Sequence, residues 1–298
     1  MIDPDLTSED PVATFAAERP RLVGLAYRVT GSRTDAEDVV QDAWLRWSGA
    51  DRSAIASPAA WLTTVTSRLA LDRLRAAHRT REAYVGPWLP EVVAGDPEPE
   101  ARAELAESLT IGFLSVLERL GPVERVVFIL ADVFAVPFDE IAEVVGRSPE
   151  ACRQVASRAR RRVHEGRPRY APTDDEAWAV TGAFLTAAQV GDLDGLVALL
   201  APDAVLVSDG GAHRHAARRP IATDKIPRFF ANLTARLPAD AAVEGLLVNG
   251  QPSVLIRLAG VVDQTVTFAV SGGRIQRIWI VRNPDKLAAL EAGTGLAT

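Results

Sequence analysis

Apolar residues recur every three or four positions from Thr14 to Glu82, the period of helices that bury one face. Val39, Val40, Ala43, Trp44 and Trp47 mark one such face, and Trp61, Leu62, Val65 and Leu69 mark another. The period fails from Tyr84 to Glu107. That stretch opens with Gly86, Pro87, Pro90, Gly95, Asp96, Pro97, Glu98, Pro99 and Glu100, so a turn-rich acidic linker is expected. Helical spacing then resumes to about Arg162, and a second break runs from Gly166 to Thr173 with Pro168 and Pro172. Beyond it the pattern changes. Thr173 and Glu176 form a capping box for a helix to about Val190, and Leu193 to Leu200 reads as a second helix. Ala204 to Ser208, Val243 to Val248, Ser253 to Leu258, Val261 to Val270 and Arg274 to Val281 are β-branched-rich strands, with Gly250, Gly260 and Gly272-Gly273 as hairpin turns. Helix, helix, strand, helix and four strands predict a curved antiparallel sheet packed on helices. The fold class is multidomain: two all-α segments, then an α+β domain. Neither an internal repeat nor a low-complexity tract is visible.

Composition narrows the setting. The 298 residues, 48% hydrophobic and 24% charged, suit two or three globular domains. One cysteine, Cys152, rules out an intrachain disulfide framework or a four-cysteine zinc site and fits a reducing compartment. Met1 to Pro11 is acidic and polar, unlike a secretory leader, and no apolar run approaches the ~18 residues that span a bilayer. A cytoplasmic protein with no membrane partner is expected. The net charge of −6 argues against a nucleic-acid ligand only if charge is evenly spread.

It is not. Phe138, Ile141, Ala142 and Val145 fall at i, i+3, i+4 and i+7, so they give a short helix one apolar face, and Gly146 follows where the chain must turn. Ser148 suits an N-cap and Pro149 a first helical residue. In the helix they open, Cys152, Val155, Ala156, Ala159 and Val163 face inward, whereas Glu150, Arg153, Gln154, Ser157, Arg160 and Arg161 face away. Arg147, Arg153, Arg158, Arg160, Arg161, Arg162, Arg167 and Arg169 outweigh Glu150 and Glu165. Two short helices joined by a glycine turn, the second basic outside, fit a DNA major groove. Arginine and glutamine there can read base edges, and later arginines can grip phosphates. A helical hairpin with a solvated basic face is the alternative.

The helix that Thr34 and Glu37 open, by a further capping box, carries Asp35, Asp38 and Asp42 at three- and four-residue spacing, with Glu37 and Gln41 beside them. Like charges on one face repel unless a basic partner neutralises them, although a solvated face helped by the helix dipole is an alternative. Ser57-Pro58 caps the next helix, where Arg68, Asp72, Arg75 and Arg79 make a mainly basic stripe continued by Arg73 and Arg81. It too reads as a solvated face or as a second DNA contact.

These strings carry a resemblance. Asp35-Ala-Glu-Asp-Val-Val-Gln-Asp-Ala-Trp-Leu-Arg-Trp47, Ser57-Pro-Ala-Ala-Trp-Leu62 and Leu71-Asp-Arg-Leu-Arg75 resemble domain 2 of extracytoplasmic-function (ECF, group IV) RNA polymerase sigma factors. Leu120-Gly-Pro-Val-Glu-Arg125, Phe138-Asp-Glu-Ile-Ala142 and Arg158-Ala-Arg160 are similar to their domain 4. The likeness covers about the first 165 residues in order. It implies partners, core RNA polymerase and promoter DNA, and residue roles. Asp35, Glu37, Asp38, Gln41 and Asp42 would dock on the coiled coil of the polymerase clamp. The loop before Trp61 and the helix with Arg68, Asp72, Arg73 and Arg75 would meet the −10 element, where a base is flipped from the stack. Arg147, Ser148, Glu150, Arg153, Gln154, Ser157, Arg158 and Arg161 would meet the −35 element. The acidic linker would lie in the polymerase's RNA channels.

The remaining residues resemble a SnoaL-like domain of the NTF2-like superfamily, an α+β cone with a pocket, as found in the SigJ-type subgroup of these factors. Trp88-Leu89-Pro90-Glu91 matches a linker motif, with Val92 where proline is usual. Asn283-Pro284-Asp285-Lys286-Leu287 matches a terminal motif, and Asp209-Gly210-Gly211 opens a third, with Ala212-His213 in place of its usual glycine-lysine. The domains expected are therefore 1–83 (domain 2), 84–107 (linker), 108–165 (domain 4), 166–172 (linker) and 173–298 (cone). Placed in the linker and at both ends of the cone, the three motifs are expected to meet in space and to regulate the factor in cis; a small-molecule ligand of the cone is a further partner the resemblance allows. Superfamily enzymes pair a carboxylate base with a buried proton donor. Asp209, Asp263, His213 and His215 are available, but no tyrosine follows Tyr170, so no phenolic donor is expected, and a turn capped by Asp209 explains that motif equally well. His213-x-His215 lacks a nearby carboxylate cluster for a metal. No catalysis, metal or cofactor is expected, and the free protein is expected to be a monomer. The alternatives are a helix-turn-helix regulator sensing a small molecule through the cone, and a SnoaL-like isomerase or cyclase fused to a DNA-binding module.

Overall fold

The computed structural model describes residues 10–81, 84, 86–95, 109–166 and 174–293. The chain divides into two compact units, Met1–Thr80 with Leu117–Glu165, and Arg81–Val116 with Gly166–Thr298.

The first unit is helical. Helix α1 (Pro11–Thr30) is capped by Asp10 and ends at left-handed Gly31, with φ of 70°. Helix α2 (Arg33–Ser48) corrects the expected capping box, because the cap is Ser32, whose Oγ accepts from the Asp35 amide at 3.1 Å. The turn at Gly31 brings the chain into the helix two residues earlier than Thr34 would. Helix α3 (Pro58–Arg81) starts at the Ser57-Pro58 pair. Leu22, Leu25, Tyr27, Val39, Val40, Trp47, Leu62, Leu71 and Leu74 fill the core among the three helices. Trp47 sits 5.5 Å from the Trp61 ring and donates its Nε1–H to Pro11 O.

Helix α4 (Ile111–Leu117) ends where this unit resumes, and α5 (Pro122–Phe128) runs into a π-helical turn at Ile129–Val133. Buried Arg125 donates to Val29 O at 3.0 Å and Leu117 O at 3.1 Å and pairs with Glu118 at 2.6 Å, so it neutralises the carbonyl end of α1. Helices α6 (Phe138–Val145) and α7 (Pro149–Gly166) meet at Gly146, whose φ of 68° few other residues tolerate. Cys152, Val155, Ala156, Ala159 and Val163 are buried, as the periodicity predicts. Burial pushes the Cys152 thiol pKa up against the opposing pull of Arg147 and Arg153, so it stays a packing residue.

The second unit holds one six-stranded sheet in the order β2-β1-β6-β5-β4-β3: β1 (Leu200–Asp209), β2 (Ile221–Ala222), β3 (Ala242–Val248), β4 (Gln251–Leu258), β5 (Val261–Ser271) and β6 (Arg274–Val281). The all-antiparallel expectation needs correcting. Strand β1 runs parallel to β6, because the chain leaves β1, builds the far edge and returns through three hairpins to lie beside it. Those hairpins turn at Asn249-Gly250, Ala259-Gly260 and Gly272-Gly273, all at positive φ, the geometry that suits strand twist. The expected cap at Thr173 lies outside the described residues, as do Arg167, Arg169 and most of the acidic stretch.

Both sheet faces are buried, and β5 shows it with nine consecutive buried residues. Helices α8 (Asp174–Val190), α9 (Leu193–Leu199) and α10 (Ile226–Thr234) cover one face, with Phe184 packed edge-on against Phe230 and Phe268. Helix α11 (Pro284–Gly293) and the linker cover the other, where Leu89, Val92 and Ile111 join Leu255, Trp279, Val281, Leu287 and Leu290.

Candidate functional site

Helix α7 carries one candidate surface. Arg147, Ser148, Glu150, Arg153, Gln154, Ser157, Arg158 and Arg161 are all exposed, on the side opposite the buried face. Ser148 Oγ accepts from the Ala151 amide at 3.2 Å, so this side chain is partly committed to the helix start. Arg153 lies 5.8 Å from the centroid of the Phe138 ring, which steadies its guanidinium at the mouth of the turn. Arg160 and Arg162 are tied down, to Asp132 at 2.6 Å and Glu124 at 2.5 Å. The helix thus brings exposed arginine, glutamine and serine together at its N-terminal half, the part that reaches base edges when such a helix enters a groove.

The second surface is the α2–α3 pair. Glu37 pairs with Arg19 and with Arg33, and Asp35 and Asp38 both pair with Arg73. Gln41 and Asp42 are exposed, and neither side chain has a hydrogen-bond or ion-pair partner among the described residues. Asp72 and Arg75 are exposed, 3.4 Å apart, and Trp61 is half-buried against Trp47. Arg68 donates to the Glu143 carbonyl at 2.8 Å, in the last turn of α6.

The third site is a clamp on the linker, and here the three motifs converge. Asp209, 1% exposed at the end of β1, places four donors on its two oxygens. Oδ1 accepts from the Tyr84 hydroxyl at 2.5 Å and the Gly211 amide at 3.0 Å; Oδ2 accepts from the Leu89 amide at 2.8 Å and Lys286 Nζ at 2.6 Å. Lys286 also donates to Leu89 O at 2.5 Å and stands 3.8 Å from the Trp88 ring centroid. Asn283 donates to the Tyr84 oxygen at 3.1 Å and accepts from the Asp285 amide, which opens α11. Leu89, Pro90, Glu91 and Leu287 are buried, while Pro284 and Asp285 are exposed.

Both motif glycines are required by space. A Cβ on Gly210 would lie 2.2 Å from Arg214 O, and one on Gly211 would lie 2.7 Å from the Asn283 side chain. The turn reading and the clamp are therefore both present at Asp209. The absent phenolic donor is a correction: Tyr84 of the linker supplies one that counting tyrosines within the cone alone missed. Burial, and next the hydrogen bond to Asp209, push its pKa up.

Farther along, Asn249 fastens the linker twice, accepting from the Val93 amide at 3.1 Å and donating to Leu109 O at 2.9 Å. Backbone bonds from Gly95 to Leu247 O and from Asn249 to Val93 O extend the β3 edge. Gly250 alone marks this hairpin in the sequence, and no local pattern signals the second role of Asn249 beside it. Among the described residues no group of three or more His, Cys, Asp or Glu is placed to hold a metal, and no helix is long and apolar enough to cross a membrane.

Two family descriptions match the helical part, Sigma-70 region 2 over residues 14–80 and Sigma-70 region 4 over residues 112–163. Across nearly the whole length, the chain is 43% identical to the ECF RNA polymerase sigma factor SigJ of Mycobacterium tuberculosis over 289 residues, 92% of each protein. The chain belongs to the ECF RNA polymerase sigma factors. The probable ECF sigma factor SigI of the same organism is 33% identical over 295 residues, 97% of this sigma factor and 99% of the relative. The crystal structure of Mycobacterium tuberculosis SigJ superposes with a TM-score of 0.77 at 40% identity, covering 93% of this sigma factor and 98% of that chain. As a sigma factor the chain binds core RNA polymerase and promoter DNA, and the helix-turn-helix and the α2–α3 pair lie within the two matched regions.

Proposed function

We propose that this sigma factor is regulated in cis: the cone grips the 84–95 linker in the free chain and yields it when polymerase binds. The observation that carries the reading is the set of four donors on Asp209, two of them from the linker. Domain 2 (1–83) supplies the polymerase face at Asp35, Glu37, Asp38, Gln41 and Asp42 and the −10 face at Trp61, Arg68, Asp72 and Arg75. Domain 4 (108–165) reads the −35 element through α7. The cone (173–298) catalyses nothing, because its candidate base, Asp209, is saturated by donors and covered by the linker. Free, the factor is a cytoplasmic monomer. A small molecule in the cone would alter activity only by binding the gripped or the released arrangement better.

The test is run-off transcription with purified core polymerase at limiting concentration. Asp209→Asn loosens the grip, and promoter-specific transcription should rise several-fold over the parent chain. Truncation after Pro168 removes the grip altogether and should change both activity and core affinity. Unchanged transcription and core affinity in both variants would contradict cis regulation.

A further inference from the structure

The family likeness places Arg73 with the −10 residues of α3, but its surroundings belong elsewhere. At about 100° per residue, Arg73 lies about 100° around the helix from Asp72, about 140° from Arg68 and about 160° from Arg75. It is therefore off the stripe that those three share. Its guanidinium spans two carboxylates one turn apart on α2: Nε donates to Asp35 Oδ1 at 2.8 Å, and Nη2 donates to Asp38 Oδ2.

We infer that Arg73 is a positioning residue of the polymerase-docking face and makes no promoter contact. This rests on the proposal that the α2 carboxylates dock the polymerase. Asp35 and Asp38, at i and i+3, repel one another, and one planar guanidinium between them relieves that repulsion while fixing both side chains. Arg73 engages Oδ1 of Asp35 and Oδ2 of Asp38, which leaves the other oxygen of each for a basic partner. The trio retains a net negative charge, so the face stays complementary to a basic helix. A lysine has no fork with which to bridge two carboxylates.

The experiment uses the full chain with core polymerase and has two readouts. Core affinity comes from competition with a labelled sigma factor. Base preference at the −10 element comes from a promoter library transcribed at saturating polymerase. Arg73→Ala should weaken core binding about tenfold and leave the −10 preference unchanged. Arg73→Lys should recover only part of the affinity. In an Asp35→Asn/Asp38→Asn background, Arg73→Ala should have little further effect, which separates positioning from general loss of fold. An altered −10 preference, or core affinity unchanged or raised by Arg73→Ala, would overturn the inference. Asp42→Lys serves as the control on the underlying reading: if it leaves core binding intact, the docking face itself is wrong, whatever Arg73 does.

Discussion

The Asp209–Lys286 pair is buried to a degree that would penalise either charge alone, and each partner is held by further hydrogen bonds. Replacing Lys286 with methionine leaves a carboxylate without its cation, so a loss of about 3–5 kcal/mol in the stability of the cone with its linker is expected by denaturant titration. Tyr84 adds a pH dependence with a definite sign. Undocked, it ionises at about pH 10; docked, its hydroxyl is held protonated to higher pH. Docking is therefore fully supported below pH 10 and weakens as pH rises through the docked value. In an ultraviolet titration, Tyr84→Phe should remove one late-ionising tyrosine relative to the parent chain. The motif residues at this site could be read in the sequence one by one. Their joint geometry could not, because Asp209 meets partners more than a hundred positions away and Tyr84 falls just outside any motif. Arg73 shows the converse: the resemblance groups it with Asp72 and Arg75, whereas its guanidinium lies between Asp35 and Asp38 of the neighbouring helix.

Among the elements, α7 was the most legible. Its cap, its glycine turn and its inward period are local, and local signals survive folding unchanged. Position along the helix, not exposure, is expected to divide its outer residues between base edges near the start and phosphates farther on. Arg153→Ala should relax preference at one −35 position at a cost of about 1–3 kcal/mol, whereas Arg161→Ala should weaken binding uniformly and lower the salt slope by about one. Promoter-library transcription and salt titration of holoenzyme binding distinguish the two. The sheet was less legible. Glycines marked its hairpins correctly, but the parallel β1–β6 pairing depends on where a long excursion returns, which strand periodicity does not encode. The alternation within β5 is hidden too, because the linker and α11 bury the face that would otherwise be polar.

At the scale of the whole molecule, a net charge of −6 is compatible with promoter recognition because opposite charges occupy separate elements. Much of it is also paired internally, as Arg73, Arg160 and Arg162 show. The linker is the element that changes partner in this account. In the free chain its apolar residues Leu89 and Val92 complete a sheet face, and its backbone pairs alongside the end of edge strand β3. On the proposed reading it leaves that position when polymerase binds. Hydrogen exchange of residues 84–95, compared between the free chain and the holoenzyme, tests this most directly. The amides of Leu89, Val93 and Gly95 should be protected in the free chain and exchange rapidly in the holoenzyme; equal protection in both would contradict release of the linker.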